Sequence, residues 1–313
     1  MRALAILVML SSACTDTVGI SRRPVVGLIL GAPSSSVGWL FAQQIETGAD
    51  QESVAQGVTL MVLAPPSNDA GDQIALVRQL GTQSLDALII DPMDSTILAP
   101  PLSEIDARGI PVLTVHRVIG DGEYGAGGPE DFPRTHVGSN DHNGGRIACD
   151  LLASRINATG RIYVQTPTPT DARMQGCIEV LGEKYPAMTI AAHDINGQSE
   201  EVARQEATDA LAADPSIAGI LCTDTSSALA VADLAPRQPV VGFDPSTETL
   251  DHLADLSMAA SLAQKPQSMG RLAVKFAMAA VRRHQILPRL IDPGFVVLDN
   301  ANAHHLEMAA YVY

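Results

Sequence analysis

The 313-residue chain is too long for one small domain and fits either one large α/β unit or two lobes. Its 35 acidic against 20 basic side chains, a formal net charge of -15, argue against nucleic acid as a partner, which would need a basic face. With 46% hydrophobic but only 4% aromatic residues, the core must be built from Ala, Val, Leu and Ile.

The chain opens on "MRALAILVMLSSAC", one Arg followed by an unbroken apolar run from Ala3 to Leu10 and then small residues. That run is too short to span a bilayer and reads as a secretory signal, which puts the mature protein outside the cytoplasm. The small residues before Cys14 resemble a bacterial lipoprotein cleavage box, with Cys14 lipidated; ordinary cleavage near Ala13 is the competing reading. Residues 1–22 are therefore expected to be leader and linker.

Beyond them, apolar runs alternate with helical patterns. The strand candidates are "VVGLIL", "VTLMVL", "DALIID" and "IPVLTV", then "GRIYVQ", "MTIAAH", "IAGILC" and "PVVGF". The first four are continuously apolar and β-branched, as strands covered on both faces should be. Between them, Ile74, Val77 and Leu80 recur at helical spacing, and "DHNGGRIACDLLASRI" and "SMGRLAVKFAMAAVRR" read likewise, with Asp72, Asp141 and Ser268 as expected helix caps. Regular β-α alternation predicts a parallel sheet with helices on both faces. The pattern plays twice, over residues 25–138 and 140–243, interrupted by the Gly/Pro-rich "GDGEYGAGGPEDFPRT" and a short strand "HVGS". Two such halves leave a crevice at the carboxyl ends of their strands. "GIPVLTVHR" delivers His116 and Arg117 there.

Cys149, Cys177 and Cys222 are odd in number, so at least one must be free. Two fall in helical patterns and one ends a strand, so buried apolar packing is expected; a disulfide between two of them stays open.

The segment from "NDAGDQIALVRQLG" to "GIPVLTVHR" resembles the corresponding part of the type I periplasmic solute-binding proteins of ABC sugar transporters, ribose-binding proteins among them. The resemblance continues through "HVGSNDHNGGRIACDLL", "GRIYVQTPTPTDARMQGCIEVLGEKYP", "DALAADPSIAGILCTDTSSALAV", "VVGFDPSTETL" and "MAASLAQKP". It implies two Rossmann-like lobes, residues 23–139 with 265–288 and residues 140–264 with 289–313. Three crossover segments, near Ser139, near Gln264 and within residues 288–293, would let them close on one small ligand.

The same resemblance implies the ligand contacts. Arg117 matches the family's arginine ending the fourth strand, and its fork can donate to two hydroxyls or to a carboxylate. His116 stands where sugar binders usually carry Asp. Asn140 follows the first crossover, and Arg173 matches the arginine of an R-x-x-G pattern, a neighbouring register offering Asp171 instead. Asp224 falls where ribose binders have Asn, Asp244 ends the second half's last strand, and Gln264 matches the hinge glutamine. Ser35, Ser36 and Trp39 occupy the loop where ribose binders carry aromatics, and the second-lobe aromatic has no counterpart, Gln198 lying about there. Asn140 and Asp224 have a structural alternative as helix caps, His116 as a residue that merely positions Arg117, and Trp39 as surface packing. Arg117→Ala and Asp244→Ala are expected to abolish binding with little loss of unliganded stability.

The resemblance thus implies a monomeric receptor of a small sugar-like ligand. It would deliver that ligand to an ABC permease or, alternatively, act as the sensor partner of a membrane histidine kinase or chemoreceptor. No cofactor or metal is expected, and the absence of GxSxG, Walker-loop and HExxH motifs gives no reason to expect an enzyme.

Overall fold

The computed structural model describes residues 22–313 apart from 37, 123, 125–129, 235–236 and 283–286. The leader and Cys14 lie outside the described residues. The first series is β1 (Val25–Ile29), α1 (Trp39–Gln56), β2 (Thr59–Leu63), α2 (Ala70–Gly81), β3 (Ala87–Ile90), α3 (Ala99–Ala107), β4 (Val112–Val115) and β5 (His136–Val137). The second begins with α4 (Asp141–Arg155), β6 (Gly160–Thr166), α5 (Ala172–Lys184), β7 (Met188–Ile195) and α6 (Glu200–Ala213). It continues with β8 (Ile217–Cys222), α7 (Thr225–Ala232), β9 (Val240–Phe243), α8 (Thr247–Ala254) and β10 (Ala260–Ala263). α9 (Pro266–Val281), β11 (Leu290–Ile291), β12 (Val296–Leu298) and a 3-10 turn, Leu306–Tyr311, follow.

The strands form two six-stranded sheets, ordered β11-β5-β4-β3-β1-β2 and β12-β10-β9-β8-β6-β7. This is the architecture the resemblance implies, two α/β sheets with helices on both faces. All pairings are parallel except β10 with β12. The period-two alternation of a strand explains why the runs are apolar throughout. In β3, Ala87 and Ile89 enter the core under α1 and α9, while Leu88 and Ile90 enter the opposite core under α2 and α3.

The chain passes between the sheets after β5, after β10 and after β11. Leu290 and Ile291 still pair with His136 and Val137 of the first sheet. The last passage therefore runs through residues 292–295, later than the expected change of lobe at residue 289.

The caps differ from expectation. Asp69, not Asp72, caps α2, its carboxylate accepting the Gly71 N–H at 2.8 Å. Asn140, not Asp141, caps α4, and α9 begins at Lys265–Pro266, with Ser268 inside its first turn. In each case the cap lies one to three residues upstream, because Asp and Ser are also at home in a first turn. The cysteines correct another expectation: Cys149 and Cys177 form a disulfide joining α4 to α5, Cα–Cα 5.2 Å, and among the described residues Cys222 alone is free. The two helices touch backbone to backbone, since a Cβ on Gly145 would overlap the Arg173 carbonyl, and that approach puts two small side chains within bridging reach.

Candidate functional site

Two polar clusters stand at corresponding strand ends. His116 follows β4 and Asp244 follows β9, the third strands in the two orders, and both are non-glycine residues with left-handed backbone, φ 63° and 54°. Such a conformation is costly and concentrates at functional sites.

In the first cluster both expected residues converge on Asp91, which ends the "DALIID" run. Arg117 Nε donates to Asp91 Oδ1 at 2.8 Å and its Nη2 to the Gly31 carbonyl at 2.7 Å. His116 Nδ1 lies 3.2 Å from Asp91 Oδ2. Burial alone would raise the Asp91 carboxyl, but His116 and then Arg117 outweigh it and hold it at about 2. Gly31 is required here, because a Cβ would overlap both the guanidinium and the carboxylate. From α2 the buried Gln73 amide donates to the carbonyls of Leu30 and Asp91, both at 2.8 Å, pinning the ends of β1 and β3 together. Nearby, burial and then His116 push the His136 imidazole down to about 4.

The second cluster is built on Arg173, the second residue of α5. Its Nε donates to Asp141 Oδ1 at 2.9 Å, and its Nη1 to the Thr223 carbonyl and Asp244 Oδ2, both at 2.7 Å. The guanidinium stacks 4.3 Å over the Phe243 ring. Burial works against its charge, yet Asp244 and then Asp141 raise its pKa. Gln264 Nε2 donates to Asp244 Oδ1 at 3.0 Å. Asp171 caps α5 and accepts the Thr223 hydroxyl at 3.1 Å, so it borders this cluster without being its centre.

Phe41 and Tyr313, neither anticipated, join the clusters. The Phe41 ring lies 4.3 Å from the His116 ring and 4.8 Å from that of Tyr313, whose hydroxyl donates to Asp244 Oδ1 at 3.1 Å. A continuous path therefore runs from His116 to Arg173. Phe41 has a faint sequence signal as an aromatic near the start of the first helix. Tyr313 has none, lying 69 residues from Asp244 in the chain.

The remaining expected residues spend their side chains elsewhere, although Asn140 adjoins Asp141 and Asp224 lies between Thr223 and Thr225, all three neighbours bonded into the second cluster. Asn140 caps α4 through the Asn143 N–H at 2.9 Å. Asp224 caps α7, its oxygens taken by the Ser227 N–H and hydroxyl and by the Asn196 amide. Ser35 is exposed, the Ser36 hydroxyl donates to the Pro33 carbonyl at 2.9 Å, and Trp39 packs half-buried on the first core. Among the described residues these five make no hydrogen bond or ring contact with either cluster.

Arg117 Nη1 and Arg173 Nη2 have no protein partner among the described residues, and one ring nitrogen of His116 is unused. What the site offers a ligand is thus donors on two fixed guanidiniums, an imidazole and aromatic edges. Two cavities, about 790 and 520 Å³, lie instead around Asp86, Ile110 and Arg134 and around Gln238, Pro239 and Ala259, where strands begin. They hold none of the expected residues and sit at the opposite sheet ends from those that hold ligands in parallel sheets.

Residues 32–285 match the family model described as a periplasmic binding protein domain. The ribose import binding protein of Bacillus subtilis (strain 168) is 23% identical over 256 residues, 79% of this chain and 80% of that protein. Its namesake from Salmonella typhimurium is 24% identical over 304 residues, 91% of this chain and 95% of that protein. Among solved structures, an ABC transporter solute-binding protein from Agrobacterium vitis, bound with alpha-D-tagatopyranose, superimposes with a TM-score of 0.77 at 27% identity, covering 93% of this chain and 99% of that one. Among the described residues no helix is long and apolar enough to cross a membrane, and no group of three or more His, Cys, Asp or Glu is arranged to hold a metal ion.

Proposed function

The chain belongs to the periplasmic binding protein family, and from that premise we propose that it is an exported receptor that captures one sugar or sugar-like polyol between its two sheets and hands it to an ABC permease. The observation that carries this reading is the pair of arginines, one in each strand-end cluster. Arg117 is locked by the buried Asp91 and Arg173 by Asp141 and Asp244, and each keeps one Nη for a ligand. The relatives named for ribose and the neighbour holding tagatopyranose support the ligand class.

The chemistry is an exchange of water for fixed donors. Arg117 and Arg173 are held in place before the ligand arrives, so little side-chain entropy is lost on binding. Asp91, held far below the usual carboxylate range, stays ionised and keeps the Arg117 guanidinium from turning away, while Asp141 and Asp244 hold Arg173 through direct hydrogen bonds. Closure about the three passages between the sheets would exclude competing water. Micromolar affinity requires only about 8 kcal/mol net.

A thermal-shift and calorimetric screen of pentoses, hexoses, polyols and sugar acids tests the proposal. A true ligand at a hundredfold its dissociation constant should stabilise the fold by about 2.7 kcal/mol. If no member of those classes raises the melting temperature or gives binding heat, the reading fails.

A further inference from the structure

Tyr313 occupies a place at the hinge end of the site that its distance along the chain conceals. Its hydroxyl accepts the Gln264 backbone N–H at 2.9 Å and donates to Asp244 Oδ1 at 3.1 Å, and its own N–H donates to the Pro245 carbonyl at 3.0 Å. Its ring meets Phe41 edge-on, 86° between planes, and packs against the first core. One side chain thus touches the strand end of the second sheet, the hinge glutamine and an aromatic of the first sheet's core.

The consequence lies in the hydrogen-bond accounting of Asp244. Its Oδ1 accepts from both Gln264 Nε2 and Tyr313, and its Oδ2 accepts from Arg173. A carboxylate offers about four lone-pair sites, so roughly one is left for a ligand. The phenol hydroxyl takes one of those sites, and its ring fills the space between Phe41 and Asp244. Burial and then Asp244 push the Tyr313 phenol well above its ordinary pKa of 10.0, so it stays a neutral donor in this role.

We propose that Tyr313 is a specificity-determining residue that closes the hinge end of the site and selects five-carbon sugars or polyols over six-carbon ones. The inference rests on the sugar-binding reading above.

Calorimetry on the full chain tests it with D-ribose, D-arabinose and xylitol against D-galactose and D-tagatose, in the wild type, Tyr313→Phe and Tyr313→Ala. The wild type should favour the five-carbon set. Tyr313→Ala should lower that preference about tenfold through gained six-carbon binding, the scale on which a pocket discriminates one carbon unit. Tyr313→Phe keeps the ring and should keep the preference while changing overall affinity. It also serves as the folded control should Tyr313→Ala prove unstable, because loss of five-carbon preference in Tyr313→Phe would itself overturn selection by the ring. A ranking unchanged in Tyr313→Ala, a wild type that favours six-carbon sugars, or equal tightening of every ligand in both variants, which would make Tyr313 a plug, each overturns this inference alone. A wild type that binds none of these sugars overturns the sugar-binding reading as well.

Discussion

The two strand-end clusters each fix a guanidinium against carboxylate, with unequal redundancy. In the first, Arg117 has one carboxylate and one carbonyl, and its side chain is 39% exposed. In the second, Arg173 has two carboxylates, a carbonyl and an aromatic face, and its side chain is only 10% exposed. The arginines also come from different elements, Arg117 from the loop after β4 and Arg173 from the first turn of α5, where the matching turn of α1 supplies Phe41. The first cluster is therefore the more open to a ligand, and the second is as much part of the scaffold as of the site. The difference teaches that matching a motif identifies the residue but not the share of its bonds already spent on the fold.

Substitution should expose that asymmetry most strongly. Asp244→Ala strips buried Arg173 of its nearest counter-charge, so unfolding stability in urea should fall by about 3–5 kcal/mol as binding is lost. Arg117→Ala should also abolish binding but cost less, about 2 kcal/mol, because His116 remains beside Asp91 and the lost guanidinium was half solvated. Both outcomes would differ from the expectation from sequence that stability would hardly change. Asp244→Asn, which keeps the tolerance for φ 54°, separates the charge effect from backbone cost. Equal losses for Asp244→Ala and Arg117→Ala would erase the contrast.

Acid should act on the first cluster in two steps. An unfolded imidazole takes up its proton near 6.5 but folded His136 only near 4, so stability is full above pH 6.5 and falls as pH drops to 4, by on the order of 3 kcal/mol. The Asp91 carboxylate protonates near 3.8 when unfolded and at about 2 when folded, so its contribution persists above 3.8 and is lost through 2, on the order of 2 kcal/mol. Melting curves of His136→Gln should lack the upper step and retain the lower. A single step at the same pH in both proteins would refute the assignment.

The smallest effect separates caps from contacts. Asp224→Ala should cost about 1 kcal/mol of stability, Asp224→Ser less, and neither should change ligand affinity more than severalfold. A large affinity loss in Asp224→Ser, whose hydroxyl can still cap α7, would return Asp224 to the site.

Periodicity and strand-end chemistry made the architecture legible. Every apolar run read as a strand is one, the central strands because burial on both faces demands continuous Val, Leu and Ile, and His116, Arg117 and Asp244 stand where such strands stop. Arg173 and Gln264 were legible only through resemblance. Asp91 ends a strand run, but its meaning depends on Arg117, 26 positions away, and no local pattern carries that pairing. Asn140 and Asp224 were ambiguous because the side chains that bind a hydroxyl also bind a helix's first N–H groups.

The sequence by itself determined the alternation of strands and helices in two successive series and the polar residues that end β4 and β9, because these depend on patterns local to each segment, whereas the three passages were legible only through resemblance. Tertiary structure alone decided that Cys149 meets Cys177, that Asp91 neutralises Arg117, and that Tyr313 reaches Asp244. Each of those is a contact between segments far apart in the chain, and which side chains meet there is fixed by how the helices and the last stretch of chain pack, not by anything written beside either residue.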